Sequence, residues 1–241
     1  MFFANDKNGN RISAEEAIIG EAYYCPTCNT ELILKPGMER RAHFAHKTAC
    51  SDKWHYEMSE WHQRMQGYFL PQYREVVVEY NGEKHRADVL IPDRHGGKSL
   101  VIEFQHSNMS RDEFFERNVF YKSAGYDIIW VFDINNHVTE KFLSNTDDYI
   151  YNFKWNCPYA CLKDYKYYTN KDKLPNKILL SYYNDGDDIL FLFEQYDMFS
   201  REVDVDCTWH GGSPFSMFWM RYNSVRDDVG DLTDAAYFFD W

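Results

Sequence analysis

Two acids in this chain stand where acids are rare. Residues 85–107 read HRADVLIPDRHGGKSLVIEFQHS. Ala87 to Ile91 and Leu100 to Gln105 are short, apolar and rich in Val and Ile, so each predicts a strand. The Pro-Asp-Arg-His-Gly-Gly stretch between them supplies the turn. Asp88 interrupts the first strand and Glu103 the second. Burying an unpaired carboxylate is costly, so such positions call for a partner or a metal. Side chains at i and i+2 share a strand face. Glu103 and Gln105 therefore project together, and a neighbouring strand can bring Asp88 beside them. Two adjacent carboxylates suit a hard divalent cation such as magnesium, which prefers oxygen ligands.

A second set of residues has the chemistry of a softer metal. Cys25-Pro-Thr-Cys28 is a Cys-x2-Cys knuckle, followed by His43, His46, Cys50 and His55. Four of the five residues Cys25, Cys28, His43, His46 and Cys50 fit a tetrahedral zinc site. The spacing allows the cysteine pair with His46 and Cys50, or with His43 and His46. Four protein ligands leave no open position, so the expected role is structural. The segment is too short for its own core, and a metal would contribute the missing stability.

The elements that position these residues follow from pattern. Ser13 and Glu16 form an S-x-x-E capping pattern ahead of a short helix over 14–22. Residues 54–70 predict a helix, with Met58, Trp61, Met65, Tyr68 and Phe69 at helical spacing and Pro71 as its stop. Glu60 and His62 lie near that apolar stripe, where a lone histidine reads as structural. Two strands over 74–91 are joined by Asn81-Gly82, a strong hairpin signal. Ser110 opens a helix, SRDEFFERNVFYKSAG, that Gly125 ends. A strand at Tyr126 to Phe132 follows, implying a right-handed crossover between parallel strands. Later, KILLSYY and DILFLFEQY predict another hairpin, FSMFWMRYNS a further strand, and the acidic, aromatic run 226–241 a docking tail. Cys157, Cys161 and Cys207 show no metal pattern and read as structural thiols. The expected division is 1–56, a zinc-binding module; 57–145, the core with the acids; and 146–241, an accessory region.

Composition excludes some classes. The net charge of −12 argues against general affinity for nucleic acid. Its distribution is uneven: 7 basic and 7 acidic residues in 1–56, 10 and 14 in 57–145, 9 and 17 in 146–241. Phosphate contact is thus expected in the first two-thirds, and the run 35–47 with Arg40, Arg41 and Lys47 is locally basic. Apolar residues make up 44%, enough for a sizeable core. No apolar run is long enough for a membrane span. The opening MFFANDKNGNRIS is unlike a secretory signal. A cytoplasmic location is expected, with cysteines as thiols or metal ligands rather than disulfides.

Helix, three strands, helix, strand, with an acid in the second strand and Glu-x-Gln in the third, resembles the PD-(D/E)XK nuclease superfamily. The series YYCPTCNTELILKPGMERRAHFAHK, SEWH, RADV, VIEFQHSNMS and ERNVFY, spanning about residues 20–135, resembles the competence protein CoiA family. The resemblance implies an α/β (α+β) fold: a PD-(D/E)XK restriction-endonuclease-like core after a zinc-ribbon-like module, here with a C-terminal β-rich extension. It implies a bacterial DNA nuclease serving recombination, DNA uptake or defence, with magnesium or manganese at Asp88 and Glu103 and structural zinc in the module. Glu75 or Glu60 would complete the acidic set, and Arg117 and Tyr121 would contact the phosphodiester. The superfamily pattern carries Lys where this chain has Gln105. Gln is neutral and supplies only hydrogen bonds; Arg86, Arg117 or a second metal would supply the charge. The alternative is a weak or inactive nuclease fold that grips DNA or docks a recombination, helicase or defence protein.

Overall fold

The computed structural model describes residues 1–37, 41–54, 58–93, 97–143, 151–163, 165–184 and 187–192. Five short strands build the N-terminal module: β1 (Phe3–Asn5), β2 (Arg11–Ser13), β3 (Tyr23–Tyr24), β4 (Glu31–Lys35) and β5 (His43–His46). They lie in the order β2-β1-β3-β4-β5. The buried core is small, with Ala4, Ala14, Tyr23, Leu32 and Phe44 around Cys25.

The helix expected over 14–22 does not form. Its capping bonds do: the Ser13 hydroxyl bonds Glu16 Oε2 at 2.7 Å and accepts the Glu16 N–H at 3.3 Å. Only a turn follows, Gly20 adopts φ +95°, and Ile18 and Ile19 are exposed. A cap cannot carry a helix whose apolar face finds nothing to cover.

The second unit is built on a six-stranded sheet. Its first helix, α1 (Glu60–Gly67), starts later than the apolar spacing predicts, because Ser59 acts as N-cap and accepts the His62 N–H at 3.2 Å. Next come β6 (Arg74–Tyr80), β7 (Glu83–Ile91), β8 (Leu100–Gln105), α2 (Arg111–Ser123) and β9 (Asp127–Asp133). Asn81 and Gly82, at φ +50° and +80°, turn β6 into β7 as the Asn-Gly pair predicts. β10 (Val138–Leu143) and β11 (Tyr151–Trp155) pair separately, and β12 (Lys177–Asn184) and β13 (Asp187–Leu192) return to the main sheet. The order is β13-β12-β9-β8-β7-β6, with β9 parallel to both β8 and β12.

β8 and β9 are buried at every position, as parallel strands covered on both faces must be. Trp61, Met65 and Phe69 cover one face with Val89, Ile102, Phe104 and Val131. Phe114, Phe120 and Tyr121 of α2 cover the other with Val101, Ile128 and Trp130. The expected boundary at 145/146 falls within the span of this sheet, which takes strands from both sides of it. The run FSMFWMRYNS, Cys207 and the tail 226–241 lie outside the described residues. No helix among the described residues is long and apolar enough to cross a membrane.

Candidate active site and metal centre

β7 and β8 part company at the acids. Their pairing covers Val89–Ile102, Leu90–Val101 and Ile91–Leu100, and one step further the ladder is replaced by a side chain. Asp88 Oδ2 accepts the Phe104 N–H at 2.9 Å. Asp88 and Glu103 thus sit together in the fork between two strands. α1 reaches it from one face and α2 from the other.

From α1, His62 Nε2 lies 2.9 Å from Asp88 Oδ1. Gln66, one turn on, places its amide nitrogen 3.3 Å from the Asp88 carbonyl and 3.4 Å from Oδ1. From α2, Arg117 Nη1 pairs with Glu103 Oε2 at 3.1 Å, and the Tyr121 hydroxyl donates to Oε1 at 2.8 Å. Arg117 also pairs with Glu113 at 2.9 Å and donates to the Trp54 carbonyl at 3.2 Å.

The two carboxyls have opposite proton affinities. Burial opposes ionisation of Asp88, but the His62 ring, the Phe104 N–H and the Arg117 charge outweigh it and hold the group below the usual carboxylate range. For Glu103, burial and then the Asp88 charge push the carboxyl up to about 8, against the pull of Arg117 and Tyr121. A buried acid beside a half-buried one thus carries one negative charge between them more readily than two.

In the module, Cys25, Cys28, His46 and Cys50 bring their ligand atoms within 4.8 Å of one another. Cys28 Sγ lies 3.4 Å from His46 Nε2 and 2.9 Å from the Thr30 hydroxyl. Burial works against the Cys28 thiolate, but hydrogen bonds from Thr30, His46 and Cys25 bring it down to about 6. Burial pushes Cys50 up to about 12, aided by the charges on Cys25 and Cys28. Three crowded sulfurs cannot all ionise without a cation, and a Cys3His set is compatible with structural zinc.

Residues 7–53 match the family described as competence protein CoiA, N-terminal domain, and residues 57–199 match competence protein CoiA, nuclease-like domain. The chain belongs to the competence protein CoiA family. The cluster falls in the family's N-terminal domain and the acid fork in its nuclease-like domain. No curated protein and no solved structure matches the chain.

His43 bonds the Arg41 carbonyl at 3.1 Å through Nδ1. It is outside the Cys3His set because strand alternation puts His46 with buried Phe44 and turns His43 to the other face. Glu75 directs its carboxylate to the Phe2 and Phe3 N–H groups, and Glu60 is exposed at the start of α1. Arg117 and Tyr121, expected on DNA, are 5% and 1% exposed; a buried Glu103 requires donors, and they supply them. Gln105 shares a strand face with Glu103, and its amide nitrogen donates to the Ser107 carbonyl at 2.5 Å. Arg86 is half-buried on β7, where its charge favours the Asp52 carboxylate. Arg41 pairs with Glu15 at 2.6 Å and Lys47 with Glu31 at 3.4 Å. Arg40 and His55 lie outside the described residues.

Pattern reading missed the part played by His62 and Gln66. Their i, i+4 spacing on a helix with an apolar face was the available signal. Gln66 carries a further observation: its side-chain carbonyl Oε1 is buried with no hydrogen-bond partner. An orphaned oxygen on a side chain whose amide nitrogen lies 3.4 Å from Asp88 Oδ1 fits an oxygen-preferring cation.

Proposed function

We propose that this chain is a metal-dependent DNA nuclease. The observation that carries the reading is the closeness of Asp88 and Glu103 in the fork where β7 leaves β8. Asp88 and Glu103 would hold magnesium or manganese, with Gln66 Oε1 as a further oxygen. The cation would supply positive charge against the phosphate oxygens and a more acidic bound water. His62 orients Asp88 and holds its charge. The side-chain carbonyl of Gln105 can accept a hydrogen bond from the attacking water, since its amide nitrogen is engaged by Ser107. Hydrolysis forms a new P–O bond from that water and breaks the bond to the leaving sugar oxygen. A cavity of about 480 Å³ lies between the module and α1, lined by Arg41 and Lys53 but also by Asp52, and would take the DNA strand only if phosphates displaced Glu15 from Arg41 and Glu116 from Lys53. The zinc module would then form one wall of the substrate groove.

One observation favours the second reading, a nuclease fold that grips DNA without cutting. Arg117 already supplies Glu103 with a buried positive partner. One experiment separates the two. Purified protein is incubated with plasmid and single-stranded DNA with and without Mg²⁺ or Mn²⁺, beside Asp88→Asn and Glu103→Gln. Cleavage that needs the cation and disappears in both variants, with DNA binding retained, supports the nuclease. DNA binding with no cleavage under any cation supports the grip.

A further inference from the structure

A strained residue lies opposite the acid of β7. Glu75 has φ +49° although it is not glycine, a conformation that costs an L-residue about 1–2 kcal/mol. Register places it across from Asp88, between the pairs Arg74–Val89 and Val76–Ala87. The strands are irregular at this level. Ala87 packs into the core under α2, whereas Val89 packs into the core under α1. In a regular strand, residues two apart face the same way. The change of face therefore occurs at Asp88, the residue whose side chain turns into the fork.

Strain persists only where the surroundings hold it, and here the N-terminal module does so. Glu75 is 3% exposed. Its carboxylate accepts the Phe2 N–H through both oxygens, at 2.9 and 3.0 Å, and the Phe3 N–H at 3.4 Å. Arg11 clasps the same strand from outside, donating to the Pro71 carbonyl at 3.0 Å and the Arg74 carbonyl at 2.5 Å. These contacts join Phe2, Phe3 and Arg11 of the module to Pro71 and to the two residues that begin β6.

We propose that Glu75 is a positioning residue: by holding the Phe2 and Phe3 amides it fixes the left-handed turn of β6 opposite Asp88, and so aims the Asp88 carboxylate into the fork. The zinc module thereby acts on the acid site through one side chain. That Asp88 is then a cation ligand rests on the nuclease reading, but the positioning itself does not.

The test reads Asp88 through the amide it holds. Hydrogen exchange of the Phe104 N–H is measured by NMR, relative to the central amides of β9, in wild type, Glu75→Ala and Glu75→Gly. Both variants lose the carboxylate, but glycine tolerates the left-handed turn. The expected result is about tenfold faster relative exchange at Phe104 in Glu75→Ala and a smaller effect in Glu75→Gly, on the scale of one lost hydrogen bond. A merely structural role would speed all amides alike. Unchanged relative exchange in both variants overturns the proposal, as does an effect in Glu75→Gly equal to that in Glu75→Ala. If Glu75→Ala does not fold, Glu75→Gly against wild type decides by the same readout. A Mn²⁺ titration followed by electron paramagnetic resonance adds the functional arm, with affinity expected to fall about tenfold in Glu75→Ala. Absence of Mn²⁺ binding in wild type counts against the nuclease reading and leaves the exchange result standing alone.

Discussion

The Arg117 guanidinium lies 3.1 Å from the Glu103 carboxylate, and both side chains are buried. Such a pair adds little net stability, yet removing one partner strands the other in a medium that cannot solvate it. Above about pH 8, where Glu103 is ionised, Arg117→Ala is expected to lower stability by about 3–5 kcal/mol in urea denaturation. Added Mg²⁺ or Mn²⁺ should restore more stability to this variant than to wild type. No difference in the cation response would argue that no cation enters the fork.

The proton on Glu103 makes stability depend on pH. Its folded value of about 8 lies above the ordinary 4.5. Between those values the folded chain holds more protons than the unfolded one. This contribution is therefore fully present below about pH 4.5 and is lost as pH rises toward 8, by at most about 1.4 kcal/mol per pH unit. Glu103→Gln, measured without added divalent cation, should flatten that slope. A slope identical to wild type would remove Glu103 as its source.

The Cys3His set discriminates between two histidines three residues apart. Elemental analysis is expected to find one zinc per chain. His46→Ala and Cys50→Ser should lose it, and His43→Ala should retain it. Zinc loss in His43→Ala with retention in His46→Ala would reverse the assignment.

His62 should matter to function beyond packing. His62→Ala removes the ring nitrogen 2.9 Å from Asp88 Oδ1 and is expected to reduce cleavage about tenfold or more, roughly 1.4 kcal/mol of barrier. Steady-state cleavage at equal DNA occupancy checks this, and an unchanged rate would return His62 to a structural role.

Gln105→Lys tests the missing lysine directly. An ammonium can replace the donation to Ser107 but offers no acceptor to water. A change in cleavage of about tenfold or less is expected. If cleavage appears only in the lysine variant, the natural protein is a grip rather than a nuclease.

Much of this site was legible because strand period and turn chemistry are local. Asn81-Gly82 set the β6–β7 hairpin, and the rarity of acids in apolar strands singled out Asp88 and Glu103. The choice of His46 over His43 was equally local in origin, but it needed the face that Phe44 buries. What escaped pattern reading depends on long-range partners. The Phe2 amide meets Glu75 across 73 positions, and Trp54 offers its carbonyl to Arg117 across 63. A carboxylate in a strand looks the same in sequence whether it binds a cation or an amide. The absent helix over 14–22 failed for a related reason, since its cap was present and its covering surface was not.

The Trp61 indole donates to the Ser181 hydroxyl at 3.2 Å, tying α1 to a strand 120 positions away. During synthesis, α1 and the strands β6–β9 emerge long before β12 does. Until then β9 has an open edge and Trp61 lacks its partner. The sheet consequently closes late, through a non-local parallel pairing of the kind that forms slowly. A released chain truncated near residue 145 should present that open edge to chaperones and to other chains, and one that continues beyond residue 192 should not.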